Sequence, residues 1–309
     1  METPFRPHTK ESWLEAVKKE LPDGTLPEDL AIGNQLFDHD GFAWPSAMNE
    51  TDGLIPTQEW KITAACNSHF ACMSALQDGA EAIIITPESG KEVQHYLDGV
   101  GFEFITTLIH SVDMQDNDKT NWRQKLSSVA GHSPIIWYSE RSGEDEFQHI
   151  HSPAMDRTDF LKCFESMVNQ GSSQNKGWLI THQVGADFYS EIAWARAMRE
   201  AFMIWQKKSQ QRHKIYLVAQ LDAAGSDPNQ DLIRYSYQCL SAVLAGYDFI
   251  CGLTWQEGDN KYARLVLNIQ HLMKHESKLH LFRDPMAGSY FIEDICRSLV
   301  NEALEKLKL

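Results

Sequence analysis

Apolar residues along this chain come in short unbroken runs, separated by longer stretches in which they recur every three or four positions. The runs fall at 82–86, 102–109, 135–138, 178–181, 215–219 and 248–253. Each has strand length and lacks the apolar–polar alternation of a strand with one wet face, so both faces are covered. The periodic stretches predict helices over 65–78, 91–99, 121–130, 157–169, 186–207, 230–245, 259–276 and 292–307. Continuous apolar strands, each followed by a helix, predict a parallel sheet clothed by helices, and the repeat fits a (β/α)8-type TIM barrel. Six strands are clear and a weaker one is read at 278–282, so the barrel is expected to be degenerate in one unit. A doubly wound open sheet is the alternative. No Gly-x-Gly-x-x-Gly follows any strand, which leaves the dinucleotide-binding form of that fold without support.

The first 60 residues read as an arm, and 61–309 as the barrel domain. In the arm, Trp13, Val17 and Leu21 share one helical face, and Pro22 to Gly24 end the helix. Residues 31–58 show no long period and read as an extended segment packed on something else. Residues 143–155 read as a polar, charged insertion and 171–177 as a flexible loop.

Composition narrows the function classes. The 309 residues carry a formal charge of −15 and no Lys/Arg cluster, which argues against a nucleic-acid or anionic-membrane surface. Six cysteines at 66, 72, 163, 239, 251 and 296 form no Cys-x-x-Cys, the usage of buried thiols in a reducing compartment. The N-terminus lacks the apolar core of a signal peptide, and no run approaches the ~18–20 apolar residues of a membrane span. A cytoplasmic location is therefore expected.

Several constellations are candidates for chemistry. His271 and His275 stand four apart on one helix face, a two-ligand spacing that does not by itself make a metal site. His149-x-His151 lies in the acidic stretch read as a loop, where a solvated segment is the stronger reading and a divalent-metal trap the weaker. Glu191, Arg196 and Arg199 read as a helix-face ion-pair set that ties helix to helix, scaffold rather than chemistry, at the well under ~1 kcal/mol per pair of exposed ion pairs. Gln220 ends a strand and either lines the lumen or satisfies a backbone group. No Gly-x-Ser-x-Gly elbow occurs, and nothing supports a Cys-His pair. No catalytic residue and no metal ligand set is assigned.

The segment from 261 to 293 carries an ordered set: Ala263-Arg264, Asn268-Ile269-Gln270, Glu276-Ser277, Asp284-Pro285, Gly288-Ser289-Tyr290-Phe291 and Glu293. It resembles the C-terminal end of the barrel domain of adenosylcobalamin-dependent methylmalonyl-CoA mutases. Residues 184–199 (VGADFYSEIAWARAMR) resemble that family's Gly-x-Asn-Phe-Phe-x-Glu-Ile-Ala motif. Trp60-Lys61-Ile62 resembles the Trp-x-Ile that opens the family barrel, and the Gly79-Ala80-Glu81 helix end is similar to the pattern of its small, non-catalytic subunit. The resemblance implies a mutase-type barrel, cofactor-facing positions at Gln220, Glu276, Ser289 and Tyr290, adenosylcobalamin in the assembly, and a catalytic large chain as heterodimer partner embraced by the arm.

Departures from the family pattern point the same way. The loop after the 82–86 strand reads Thr86-Pro87-Glu88-Ser89-Gly90, where catalytic chains carry Arg-Gly-Tyr-Asp-Ser. No Ser-Gly-Tyr-His strand end occurs; His182 is the nearest histidine. No Asp-x-His-x-x-Gly motif supplies a lower cobalt ligand. The expectation is a structural partner of an acyl-CoA mutase. An active isomerase barrel using a separate cobalamin-binding protein, and a stand-alone acyl-CoA binder, are the alternatives.

Overall fold

The computed structural model describes residues 60–308, except 103, 128–133, 141–144, 154–156, 170–176, 211, 222–226, 253–259 and 282–283, together with 15–16 and 18–20. The predicted arm lies almost wholly outside the described residues, as do Trp13, Val17 and Leu21.

Eight parallel strands close into one barrel in chain order. They are β1 (Lys61–Cys66), β2 (Ala82–Ile85), β3 (Thr106–His110), β4 (Ile135–Ser139), β5 (Phe147–Ser152), β6 (Gly177–Val184), β7 (Lys214–Leu221) and β8 (Phe249–Cys251). β1 pairs with β8 in the register Lys61↔Phe249, Ile62↔Ile250, Thr63↔Cys251, which excludes an open sheet. The helices are α1 (His69–Gln77), α2 (Gln94–Leu97), α3 (Asp116–Ser127), α4 (Arg157–Asn169), α5 (Phe188–Ser209), α6 (Pro228–Ala245), α7 (Lys261–His271) and α8 (Tyr290–Lys306). Among the described residues no helix separates β4 from β5, so the unit is degenerate in its helix rather than its strand.

Three expectations need correction. The segment read as a charged insertion contains β5. Its sequence FQHIHS alternates between lumen and helix layer, and histidines at the inward positions hid the pattern. The predicted helix at 65–78 takes in the last two residues of β1, KITAAC, because alanine favours helix. Ser68 settles the boundary: its hydroxyl accepts from the Ala71 N–H and starts α1 at His69. The weak strand at 278–282 is instead a 3-10 turn, Leu279–Leu281, which follows a π-helical turn, Leu272–Glu276.

Most of the core lies between barrel wall and helices. Ile62, Ile83, Ile85, Trp178, Ile180, Leu217 and Ile250 point outward into it, meeting Trp194, Phe160, Ala197 and Phe202 from the helix layer. α8 packs across α4 and α5. Gly177 opens β6 between two strands; a Cβ there would sit 1.9 Å from the Lys214 carbonyl oxygen, so only glycine allows the pairing.

Candidate functional site

The opposite face of each strand points into the lumen. Ala82, Leu108, Ile136, Tyr138, Phe147, Leu179, Val218, Phe249 and Cys251 form a second apolar cluster there, each at most 5% exposed. The Tyr216 ring packs between Phe147, tilted at 5.1 Å, and Phe249, edge-on at 5.8 Å. The lower and middle lumen is packed core. Burial also pushes the Cys251 thiol up to about 12, which leaves it protonated and unreactive at neutral pH.

Above this plug the character changes. His110 is the last residue of β3, Glu140 follows the last residue of β4, and His149 lies in β5. Since Ser139 pairs with Gln148, Glu140 continues level with His149. The three side chains converge at the C-terminal mouth, the end at which barrel enzymes hold their chemistry. Glu140 Oε1 lies 2.9 Å from His110 Nε2 and 2.7 Å from His149 Nδ1. His149 Nε2 meets Thr181 Oγ1 of β6 at 3.0 Å. The His110 ring stacks on Tyr138 at 4.8 Å, so the apolar plug is the floor on which the polar cluster rests.

The electrostatics follow from this placement. The hydrogen bond from His149, with the nearby His110 ring, holds the Glu140 carboxyl down to about 2, so it is anionic at neutral pH. Burial, the largest cause, lowers the pKa of His110, with the Glu140 carboxylate opposing it. Burial is also the first cause of the lowered pKa of His151, on the rim. The arrangement presents one carboxylate and two imidazoles to solvent on one side, suited to binding a cation or moving a proton.

A second polar network lies on the outer face of the wall. His182 is fully buried, with Nε2 2.8 Å from Glu191 Oε2 and Nδ1 3.0 Å from Ser152 Oγ. Ser152 in turn donates to Asp159 Oδ2 at 2.6 Å, and Gly185 N–H donates to Glu191. The His182 ring stacks on Trp194 at 4.1 Å. The order serine, histidine, carboxylate is that of a nucleophilic triad, but Ser152, His182 and Glu191 are all 0% exposed. No substrate reaches them, and the network joins β5 and β6 to α4 and α5.

The set on this helix is scaffold, as expected, but it is buried rather than exposed. Glu191, Arg196 and Arg199 are 0%, 1% and 6% exposed and reach three separate partners. Arg196 binds Asp284 at 2.6 Å, and Arg199 binds Asp248 at 2.8 Å and the Gly246 carbonyl at 2.7 Å. Their spacing on one helix is visible in the sequence, whereas the burial comes from what they face: His182 of β6 for Glu191, the Gly246–Asp248 turn for Arg199 and Asp284 for Arg196.

The four positions implied by resemblance do not meet. Gln220, near the end of β7, shares the lumen parity of Tyr216 and Val218 and is exposed at the mouth. Ser289 and Tyr290 open α8, where Phe291 packs edge-on against Tyr189 of α5 at 5.6 Å, outside the barrel ring on the mouth side. That Gly-Ser-Tyr loop acts as a helix start: Gly288, at φ +81°, donates to Glu293 Oε1 at 2.7 Å. Glu276 ends the π-helical turn at the other end of the barrel. Lys274, two residues earlier, binds Glu81 at 2.7 Å and the Trp60 carbonyl at 3.0 Å, beside the starts of β1 and β2. These residues as placed do not form one seat for adenosylcobalamin, and no chemical step is derived through it.

His110 and Glu140 escaped the sequence reading, and His149 was seen only as half of a loop motif. The available signal was a polar residue closing an apolar strand, as in Thr-Thr-Leu-Ile-His110 and Ile-Ile-Trp-Tyr-Ser-Glu140. His271 and His275 do share a face, their rings stacked at 5.6 Å.

Fold and site together define a closed (β/α)8 barrel with a packed lumen and a polar mouth. Residues 180–308 match the family model described as Methylmalonyl-CoA mutase. This stretch is similar to methylmalonyl-CoA mutases, and it contains both motif segments at 184–199 and 261–293. The openings at 60–62 and 75–82 lie outside it. Among the similar proteins is a methylmalonyl-CoA mutase of Rhizobium meliloti, 28% identical over 137 residues, covering 40% of this chain and 18% of that one. A methylmalonyl-CoA mutase small subunit of Porphyromonas gingivalis is 28% identical over 132 residues, covering 39% and 21%. The human mitochondrial methylmalonyl-CoA mutase is 27% identical over 139 residues, covering 40% and 18%. The chain thus spans about a fifth of the length of these relatives. Among solved structures, Yersinia pestis dihydropteroate synthase overlays at a TM-score of 0.36 with 12% identity, covering 72% of this chain and 94% of that one, too loosely to bear on function. No helix among the described residues is long and apolar enough to cross a membrane.

Proposed function

We propose that this barrel serves as a non-catalytic, small-subunit-like partner of a cobalamin-dependent acyl-CoA mutase chain in the cytoplasm. One observation carries the reading: side chains from β2 through β8 close the lumen to solvent below the mouth. A mutase barrel needs a dry but open interior in which an acyl group and a radical can be held apart from water. A barrel relieved of that task gains apolar burial by filling its own interior. The loop after β2 agrees with this. Ser89 and Gly90 bind Asp118 of α3, at 3.0 Å and 2.9 Å, so the loop is tied to the helix layer. In this reading residues 1–60 form an arm around the partner, and 61–309 form the barrel that abuts it.

The test is co-purification. The full chain is co-expressed with a full-length mutase chain from the same organism, and methylmalonyl-CoA isomerisation is assayed with and without it. The reading expects a stable complex, no isomerase activity from this chain alone, and lower activity or thermal stability of the catalytic chain without its partner. Activity from this chain once a free cobalamin-binding protein is added would overturn it. So would indifference of the catalytic chain to its presence.

A further inference from the structure

We infer that His110, Glu140 and His149 form a binding site for one divalent transition-metal ion of the zinc type at the barrel mouth. This goes beyond the partner reading and does not depend on it. One ligand atom from each of the three residues lies within 4.8 Å of the other two, and Glu140 Oε1 is in direct reach of His110 Nε2 and His149 Nδ1. Two imidazoles and one carboxylate are a zinc donor set that leaves a coordination position for water or an exchangeable anion. Glu140 is 47% exposed on its side chain, so that position faces solvent, whereas His110 and His149 are 19% and 9% exposed and held by their surroundings.

Accepting an ion requires a local adjustment of the cluster. Ligands about 2.0–2.1 Å from a tetrahedral zinc lie roughly 3.3 Å apart. The two nitrogens now sit 2.9 Å and 2.7 Å from the carboxylate oxygen, so each would part from it by about half an ångström, while ligand atoms as far as 4.8 Å apart would close toward the same spacing. The protons on these nitrogens move to the other ring nitrogen of each imidazole, so both rings remain neutral and nothing else need be lost. For His149 that other nitrogen is Nε2, already 3.0 Å from Thr181 Oγ1, which can accept its proton in a hydrogen bond. A ring nitrogen fixed by a hydroxyl or carbonyl is the usual outer support of a metal-binding histidine. Ring contacts hold the same set in place: Tyr138 lies 4.8 Å from His110 and 5.1 Å from His149. All three ligands sit on the ends or inner faces of neighbouring strands, the most rigid elements available. His271 and His275 offer only two nitrogens, and no third ligand joins them among the described residues.

The full-length protein is stripped with a chelator and titrated with Co2+ as a spectroscopic probe, then with Zn2+ by calorimetry. One Co2+ per chain is expected, with strong visible absorption of a low-coordinate site that Zn2+ abolishes. His110→Ala and His149→Ala should each lower affinity at least about 100-fold and erase the spectrum. Glu140→Gln, nearly isosteric and able to keep the fold if a histidine variant does not, should lower it at least about tenfold. Thr181→Val should cost about 10- to 100-fold while the stoichiometry stays at one. His271→Ala/His275→Ala should change nothing. The inference is overturned if stripped wild-type protein binds neither ion, if binding survives Glu140→Gln and both histidine variants, or if the His271/His275 variant abolishes it.

Discussion

Sealed charges and mouth-facing charges are used in opposite ways in this barrel. Within residues 180–308, the mutase-like part, Glu191, Arg196 and Arg199 are buried and each is paired with a named partner elsewhere in the fold, as Asp145 is with Lys119 and Arg123 in the first half. In residues 60–179, His110, Glu140 and His149 stand at the mouth with one side open to water. The stretch matched by the family model contains the first set of pairings, while the cluster able to bind something lies outside it. A scaffold tolerates little change at a buried charge, because losing one partner strands the other. A strand end facing water is free of that constraint.

The sharpest way to break this contrast is Glu191→Ala. It leaves His182 and the Gly185 N–H without their acceptor in a sealed site, and should cost about 3–5 kcal/mol in urea unfolding. A loss below about 1 kcal/mol would mean that the network is not a lock.

The packed lumen is tested on the mouth-bearing side by Leu108→Ala. As core it should lose about 2–5 kcal/mol, with a lower thermal midpoint. A neutral result would mean that the interior is looser than its burial indicates, and would weaken the partner reading with it.

Arg196→Met removes a buried guanidinium from the partly exposed Asp284. A loss of about 1.5–3 kcal/mol is expected, since the hydrogen bond is to a charged group. The comparison with Glu191 is informative, because Asp284 can still reach water and His182 cannot.

At the mouth the effect should be smallest at neutral pH, within about 1 kcal/mol for Glu140→Gln. Its signature is in acid. The folded Glu140 carboxyl titrates near 2, below its ordinary value of 4.5. Its stabilising contribution is therefore present above about 4.5 and is lost as pH falls toward 2. In metal-free buffer the variant should lack that part of the wild-type decline, as read from thermal midpoints across that range. Parallel profiles for the two proteins would show that the His–Glu contacts do not form.

By itself the sequence determined the layer architecture. Six of the eight strands are long apolar runs whose character needs no knowledge of neighbours, and Pro, Gly and cap residues mark most helix ends. It also carried the mutase resemblance, since linear motifs survive in linear order. Tertiary structure alone decided which strands close the ring, because β1 and β5 are defined by the partners on either side. It alone decided that Glu191 is buried and Glu140 is not, two glutamates of similar local appearance. It also placed Glu276 and Gln220 at opposite ends of the barrel. Distance across a closed barrel is set by strand stagger and helix direction, so residues far apart in the chain become neighbours and matching motifs need not meet.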